Sequence, residues 1–188
     1  MDIRDLDRRA IESTGAVIDE LTEDQLDLPT PCAKWVVRDV IAHMVGNNHG
    51  LVTKLTGEER QPTDDVRRDY RTSAAALSTA LASDDALAHK FDFPLLGGEV
   101  NTQAMLTVHF NDVLVHGWDL ARSIGADITL DPDLVDFALN AMSGLPDNPG
   151  IWSDEGSVFA PKRTVPADAT PQDRLLALTG RDHTWAPA

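Results

Sequence analysis

Apolar residues return at helical spacing from the start of the chain. Ile3, Leu6, Ala10, Ile11, Val17, Ile18 and Leu21 form one stripe and predict a helix over Ile3–Leu21. Thr22-Glu-Asp-Gln25 reads as a capping box over a short turn, and the prolines of Leu28-Pro-Thr-Pro-Cys32 impose an extended connection. A second helix is predicted over Val37–Leu55, with Gly57 as its stop. A third starts at Thr63 or Asp64 and runs to Leu81, with Val66, Tyr70, Ala74, Leu77 and Leu81 inward. The stretch from Ser83 to Val100, with Asp84-Asp85, Phe91-Asp-Phe93-Pro94 and Gly97-Gly98, reads as a loop with room for a short hairpin. A fourth helix runs from Thr102 to Gly125. A fifth opens with Asp131 as N-cap and Pro132 at its first position, and ends at Pro146-Asp-Asn-Pro-Gly150. Residues 151–170 show no clear period, after which Thr170-Pro-Gln-Asp173 caps a short helix through Leu178 that Gly180 closes. Long helices, short turns and almost no alternating segments predict an all-α antiparallel bundle.

The apolar run from Met105 to Leu120 carries His109, Asp112 and His116 on one stripe. At about 100° per residue, Asp112 and His116 lie roughly 40° and one turn apart, within reach of a single ion. His109 and His116 are roughly 10 Å apart along the axis, so Asp112 and only one of the two histidines can share that ion. A third ligand must come from another element, and His43, in the apolar run Val40-Ile-Ala-His-Met-Val45, is the candidate. A carboxylate between Phe110 and Val113 also calls for a cationic partner, with an arginine as the competing explanation. Two imidazoles and one carboxylate leave a coordination position open, as catalytic rather than structural ions require.

The remaining polar and aromatic residues have plainer readings. Cys32 reads as small apolar packing between Pro31 and Trp35, although its place before the second helix favours a thiolate. Asp39 and Asn47, each one turn from His43, either orient its ring or decorate the helix surface. Trp35 and Trp118 read as core, while His49, His89 and His183 lack ligand spacing and read as surface.

Composition narrows the function classes. With 188 residues, 42% of them hydrophobic, the chain can bury one ordinary core, and a single domain over residues 1–188 is expected. Acidic residues number 31 against 16 basic ones, and the net charge of −15 repels both nucleic acid and anionic membrane surfaces. No apolar run approaches the roughly 20 residues of a membrane span, and the first residues carry no signal core, so a cytoplasmic location is expected. Cys32, the single cysteine, excludes an internal disulfide and a cysteine-rich zinc site.

Four motifs carry a family resemblance: Leu28-Pro-Thr-Pro-Cys-Ala-Lys-Trp35, Val37-Arg-Asp-Val-Ile-Ala-His43, Leu114-Val-His-Gly-Trp-Asp-Leu-Ala121 and Asp173-Arg-Leu-Leu-Ala-Leu-Thr-Gly-Arg-Asp182. Together they resemble the DinB-like proteins related to the metal-binding domain of mycothiol-dependent maleylpyruvate isomerase. The resemblance implies a DinB-like antiparallel four-helix bundle, here with additional C-terminal helices. It also implies one divalent ion, zinc with nickel or iron(II) as alternatives, on His43, Asp112 and His116. The isomerase resembled has Glu where this chain has Asp112, and Val36 stands where relatives tend to have a polar N-cap. That isomerase also carries a further C-terminal domain contributing to its active site.

The resemblance favours an enzyme that activates a small thiol, with mycothiol as cosubstrate, for transfer to or isomerisation of a small electrophile. A non-catalytic metal- or ligand-binding bundle and a metal-dependent hydrolase are the alternatives. Relatives of this kind are often dimers, so a homodimer is a further expectation.

Overall fold

The computed structural model describes residues 2–93, 98–126, 128–145, 147, 150–153 and 159–187. Four long helices dominate: α1 (Ile3–Glu20), α2 (Val37–Thr56), α3 (Val66–Ala80) and α5 (Thr102–Ser123). Shorter elements are α4 (Asp84–Ala88), α6 (Pro132–Ser143), α7 (Pro171–Leu178) and a 3₁₀ turn over Glu23–Asp27. β1 (Lys90–Phe93) and β2 (Gly98–Asn101) pair antiparallel, Phe91 opposite Val100, as the hairpin for which the sequence left room. The fold is all-α apart from this ribbon.

α1 packs chiefly on α5 and α2 on α3, while α2 also meets α5. The seam between α2 and α5 is where His43 and Asp112 come together. The predicted stripes supply the core: Leu6, Ala10 and Ile18 from α1, Val40, Ile41 and Met44 from α2, and Leu106, Phe110 and Val113 from α5 are all fully buried. α6 docks on α7, and the irregular chain around them is anchored by buried Ile151, Trp152 and Phe159. No helix among the described residues is long and apolar enough to cross a membrane.

Two boundaries differ from expectation. α3 is capped by Asp65, which accepts from Arg68 N, because Thr63 is engaged elsewhere: its N–H and hydroxyl both donate to Asp69, at 2.6 and 2.9 Å. Asp84-Asp85 lies in the first turn of α4 instead of a loop, where acidic side chains suit the positive end of the helix dipole. At the start of α2, Val36 has no capping side chain, and Asp39 compensates by accepting from Val36 N at 3.0 Å. Asp39 therefore serves the helix terminus and not the His43 ring.

Candidate metal centre

α5 is buried on nearly every side from His109 to Ala121, so each polar group in that stretch needs an internal partner. Two groups of metal-capable donors occur among the described residues: His43, Asp112 and His116, and Cys32, His116 and Asp119, each with ligand atoms within 4.8 Å of one another. His116 belongs to both, one ring nitrogen facing each group.

Nε2 of His43 lies 3.2 Å and Nε2 of His116 3.4 Å from Asp112 Oδ1. Donors about 2.0–2.1 Å from one zinc ion stand roughly 3.3 Å apart at tetrahedral corners, so these spacings match a shared ion. The donor chemistry matches as well. Asn47 Nδ2 donates to Asp112 Oδ2 at 3.1 Å and lies 3.0 Å from His43 Nε2. In its Nδ1–H tautomer His43 has an unprotonated Nε2, the form in which it can ligate a cation beside Asp112. His116 Nδ1 donates to Asp119 Oδ2 at 2.9 Å, which fixes the tautomer and leaves Nε2 of the neutral ring as a second lone pair. With both rings in their Nδ1–H tautomers, two imidazole Nε2 atoms and a carboxylate lie within 4.8 Å of one another, a donor set suited to a metal cation.

Without a metal, the proton takes that place. Burial disfavours a charged His116, but the Asp112 carboxylate outweighs it and holds the ring protonated well above its ordinary range. Burial likewise pushes the Asp112 carboxyl up, and the attraction of His116 overrides it, holding Asp112 well below the usual carboxylate range.

The second group is already occupied. Arg181, buried at the turn after α7, reaches Asp119 Oδ2 at 2.9 Å, Cys32 Sγ at 3.2 Å and the Thr179 carbonyl at 2.8 Å. Burial raises the Asp119 pKa, but Arg181 more than reverses this and brings it down to about 2. A guanidinium between Cys32 and Asp119 disfavours a further cation there, so this group braces the His116 ring. Gly180 makes the turn possible: its φ of 83° is left-handed, and a Cβ there would stand 2.6 Å from Ala160 Cβ.

Trp35 lies with its ring centroid 4.8 Å from that of His43 and 5.9 Å from that of His116. It walls the site, whereas Trp118 is core as expected. Cys32 also departs from expectation, since its thiol lies in the polar Asp119 and Arg181 cluster and not in apolar packing. His109 turns elsewhere. It pairs through Nδ1 with Asp7 Oδ1 at 2.7 Å and through Nε2 with Asn48 Oδ1 at 2.8 Å, all three residues buried.

The family model of the mycothiol maleylpyruvate isomerase N-terminal domain matches residues 8–121. The chain belongs to that family. His43, Asp112, His116 and Asp119 all fall inside the family match, whereas Arg181 is supplied from beyond it. Two uncharacterized proteins of Mycobacterium tuberculosis, from strains CDC 1551 / Oshkosh and ATCC 25618 / H37Rv, are each 32% identical over 176 residues, covering 93% of this chain and 94% of theirs. The crystal structure of the mycothiol-dependent maleylpyruvate isomerase superposes with a TM-score of 0.60 at 20% identity, and a mutant of it does so with the same score at 19%. Each superposition covers 75% of this chain and 66% of the isomerase chain, which shows a common fold.

Sequence reasoning missed Asp119 and Arg181. Asp119 follows His116 at i+3 on the same buried helix, a spacing that could have revealed it. Arg181 lies 65 positions from His116, and only its place in the last family motif hinted at a role.

Proposed function

We propose that the protein binds one divalent metal ion, zinc in the first instance, through His43, Asp112 and His116, and uses it in thiol-dependent transfer or isomerisation of a small electrophile. The observation that carries the metal reading is the convergence of two imidazole Nε2 atoms and a carboxylate at ligand spacing. The thiol reading is supported by membership of a family named for mycothiol maleylpyruvate isomerase.

A divalent ion held by His43, Asp112 and His116 would supply Lewis acidity that favours the thiolate form of a small thiol at neutral pH. The protein's own residues prepare that position. Asn47 donates to Asp112 Oδ2, while Oδ1 faces the Nε2 atoms of His43 and His116. Asp119 holds the His116 ring through Nδ1, and Arg181 anchors Asp119. Trp35 covers the imidazoles from one side and limits the approach of water. His43, about 30% exposed against 4% for His116, marks the side from which a thiol arrives.

Substitution of cobalt(II) tests this reading. Adding mycothiol to the cobalt-loaded protein is expected to produce a sulfur-to-cobalt charge-transfer band, and His43→Ala is expected to lose both cobalt and band. A cobalt site whose spectrum ignores the thiol would contradict the thiol-dependent reading while leaving the metal site standing.

A further inference from the structure

Asn47 stands one turn beyond His43 on α2, half-buried, with Nδ2 3.0 Å from His43 Nε2 and 3.1 Å from Asp112 Oδ2. A residue that only orients a ligating histidine holds the ring by its other nitrogen, as Asp119 holds His116 at Nδ1. Asn47 instead meets His43 at Nε2, the nitrogen that faces Asp112. Its amide orientation is fixed, because the ionised Asp112 carboxylate only accepts and so takes Nδ2 as its partner, not Oδ1.

The amide nitrogen carries two N–H groups. One serves Asp112 Oδ2. His43 Nε2 cannot accept from the other and ligate an ion with the same lone pair, so in the loaded site one N–H is left without an acceptor. Among the described residues Nδ2 makes no third contact that could take it. Gly46, beside Asn47 on α2, is exposed, and a Cβ there would meet no atom within 4 Å, so no side chain obstructs an approach from that side.

We propose that Asn47 recognises the incoming thiol: its spare N–H donates to the sulfur of a small thiolate and selects the anion over the neutral thiol. This role rests on the metal and thiol reading above and adds the residue that discriminates the charged form of the ligand. Hydrogen bonds to an ionised acceptor are roughly twice as strong as neutral ones, so the donor favours the thiolate. A carboxamide is also uncharged, and it assists an anion without repelling the ion, as a lysine or arginine at this position would.

Titration of 2-mercaptoethanol into the cobalt(II)-loaded full-length protein tests it, with cobalt affinity and thiol affinity measured separately. Asn47→Leu keeps the side-chain size but removes both N–H groups. At saturating cobalt it is expected to bind the thiol about tenfold or more weakly than wild type, with the sulfur-to-cobalt band at longer wavelength and appearing only at higher pH. In the zinc-loaded wild type, one of the two Asn47 side-chain amide protons is expected to move downfield in NMR spectra when the thiol is added. Thermal unfolding of the metal-free variant confirms its fold. A variant that binds cobalt more weakly but thiol as tightly as wild type would overturn the proposal, reducing Asn47 to a support for Asp112, and so would Asn47 amide protons that ignore the thiol. Both results leave the metal and thiol reading intact. A wild-type protein that takes up no cobalt, or whose cobalt spectrum ignores the thiol, would overturn that reading and the role of Asn47 with it.

Discussion

The two histidines on the stripe of α5 have opposite assignments, and partners on other elements decide which is which. His116 donates one nitrogen to Asp119 and turns the other toward Asp112, while His109 spends both nitrogens on Asp7 and Asn48. Asp119→Asn is therefore expected to weaken metal binding by roughly 10–100-fold, because the carboxylate that orients His116 and raises its basicity is gone. Competition with a chromophoric chelator measures this, and unchanged affinity would remove Asp119 from the site. His109 gives a pH prediction. Burial lowers its pKa, but Asp7 outweighs that and raises it above the ordinary 6.5. The folded state thus holds its proton more tightly than the unfolded one. The stabilisation is complete below about pH 6.5 and is lost as pH rises through the higher folded value. Denaturant titrations across pH 6 to 9 are expected to show a steeper decline in the metal-free wild type than in His109→Gln, where His116 still contributes; equal slopes would contradict it. Spacing showed that His109 and His116 could not share an ion. The choice between them was not legible in spacing alone, since Asp7 and Asn48 lie on other helices.

Helix α5 owes its position to close approach at Gly117. A Cβ there would run into Thr14 Oγ1 of α1, whose hydroxyl donates to the Val113 carbonyl at 3.1 Å. Gly117→Ala is expected to destabilise by about 1–3 kcal/mol, offset in part by the better helix propensity of alanine. Thr14→Ala removes the obstructing oxygen, so the double variant is expected to recover part of the loss in a double-mutant cycle. Strictly additive losses in denaturant unfolding would mean that the contact does not set the interhelix distance. The long helices were legible because their buried stripes repeat over many residues, as Leu6, Ala10 and Ile18 show in α1. Short α4 was not, since five residues carry too few apolar positions for a period to show.

At the scale of the whole molecule, the site joins the bundle to the chain that follows α7. Arg181 enters it across 62 residues of sequence to reach Asp119, and nothing in a local pattern reports such a contact. Removing the guanidinium leaves Asp119 buried beside a thiol, so Arg181→Ala is expected to cost about 3–5 kcal/mol in denaturant unfolding. Arg181→Lys is not expected to restore it, because one ammonium cannot replace the fork that reaches Asp119, Cys32 and Thr179 together. A loss below about 1 kcal/mol in Arg181→Ala would show that the C-terminal segment does not brace the site.

In the proposed site a divalent ion is held by His43, Asp112 and His116 with a position left for sulfur. X-ray absorption at the zinc edge of the zinc-loaded protein, before and after addition of mycothiol, tests it most directly. Two imidazoles and oxygen ligands with no sulfur are expected at first, then one sulfur at about 2.3 Å once the thiol is present. Sulfur in the first spectrum would place the ion on Cys32, and a single imidazole in either spectrum would remove His43 or His116; either result would overturn the proposed site.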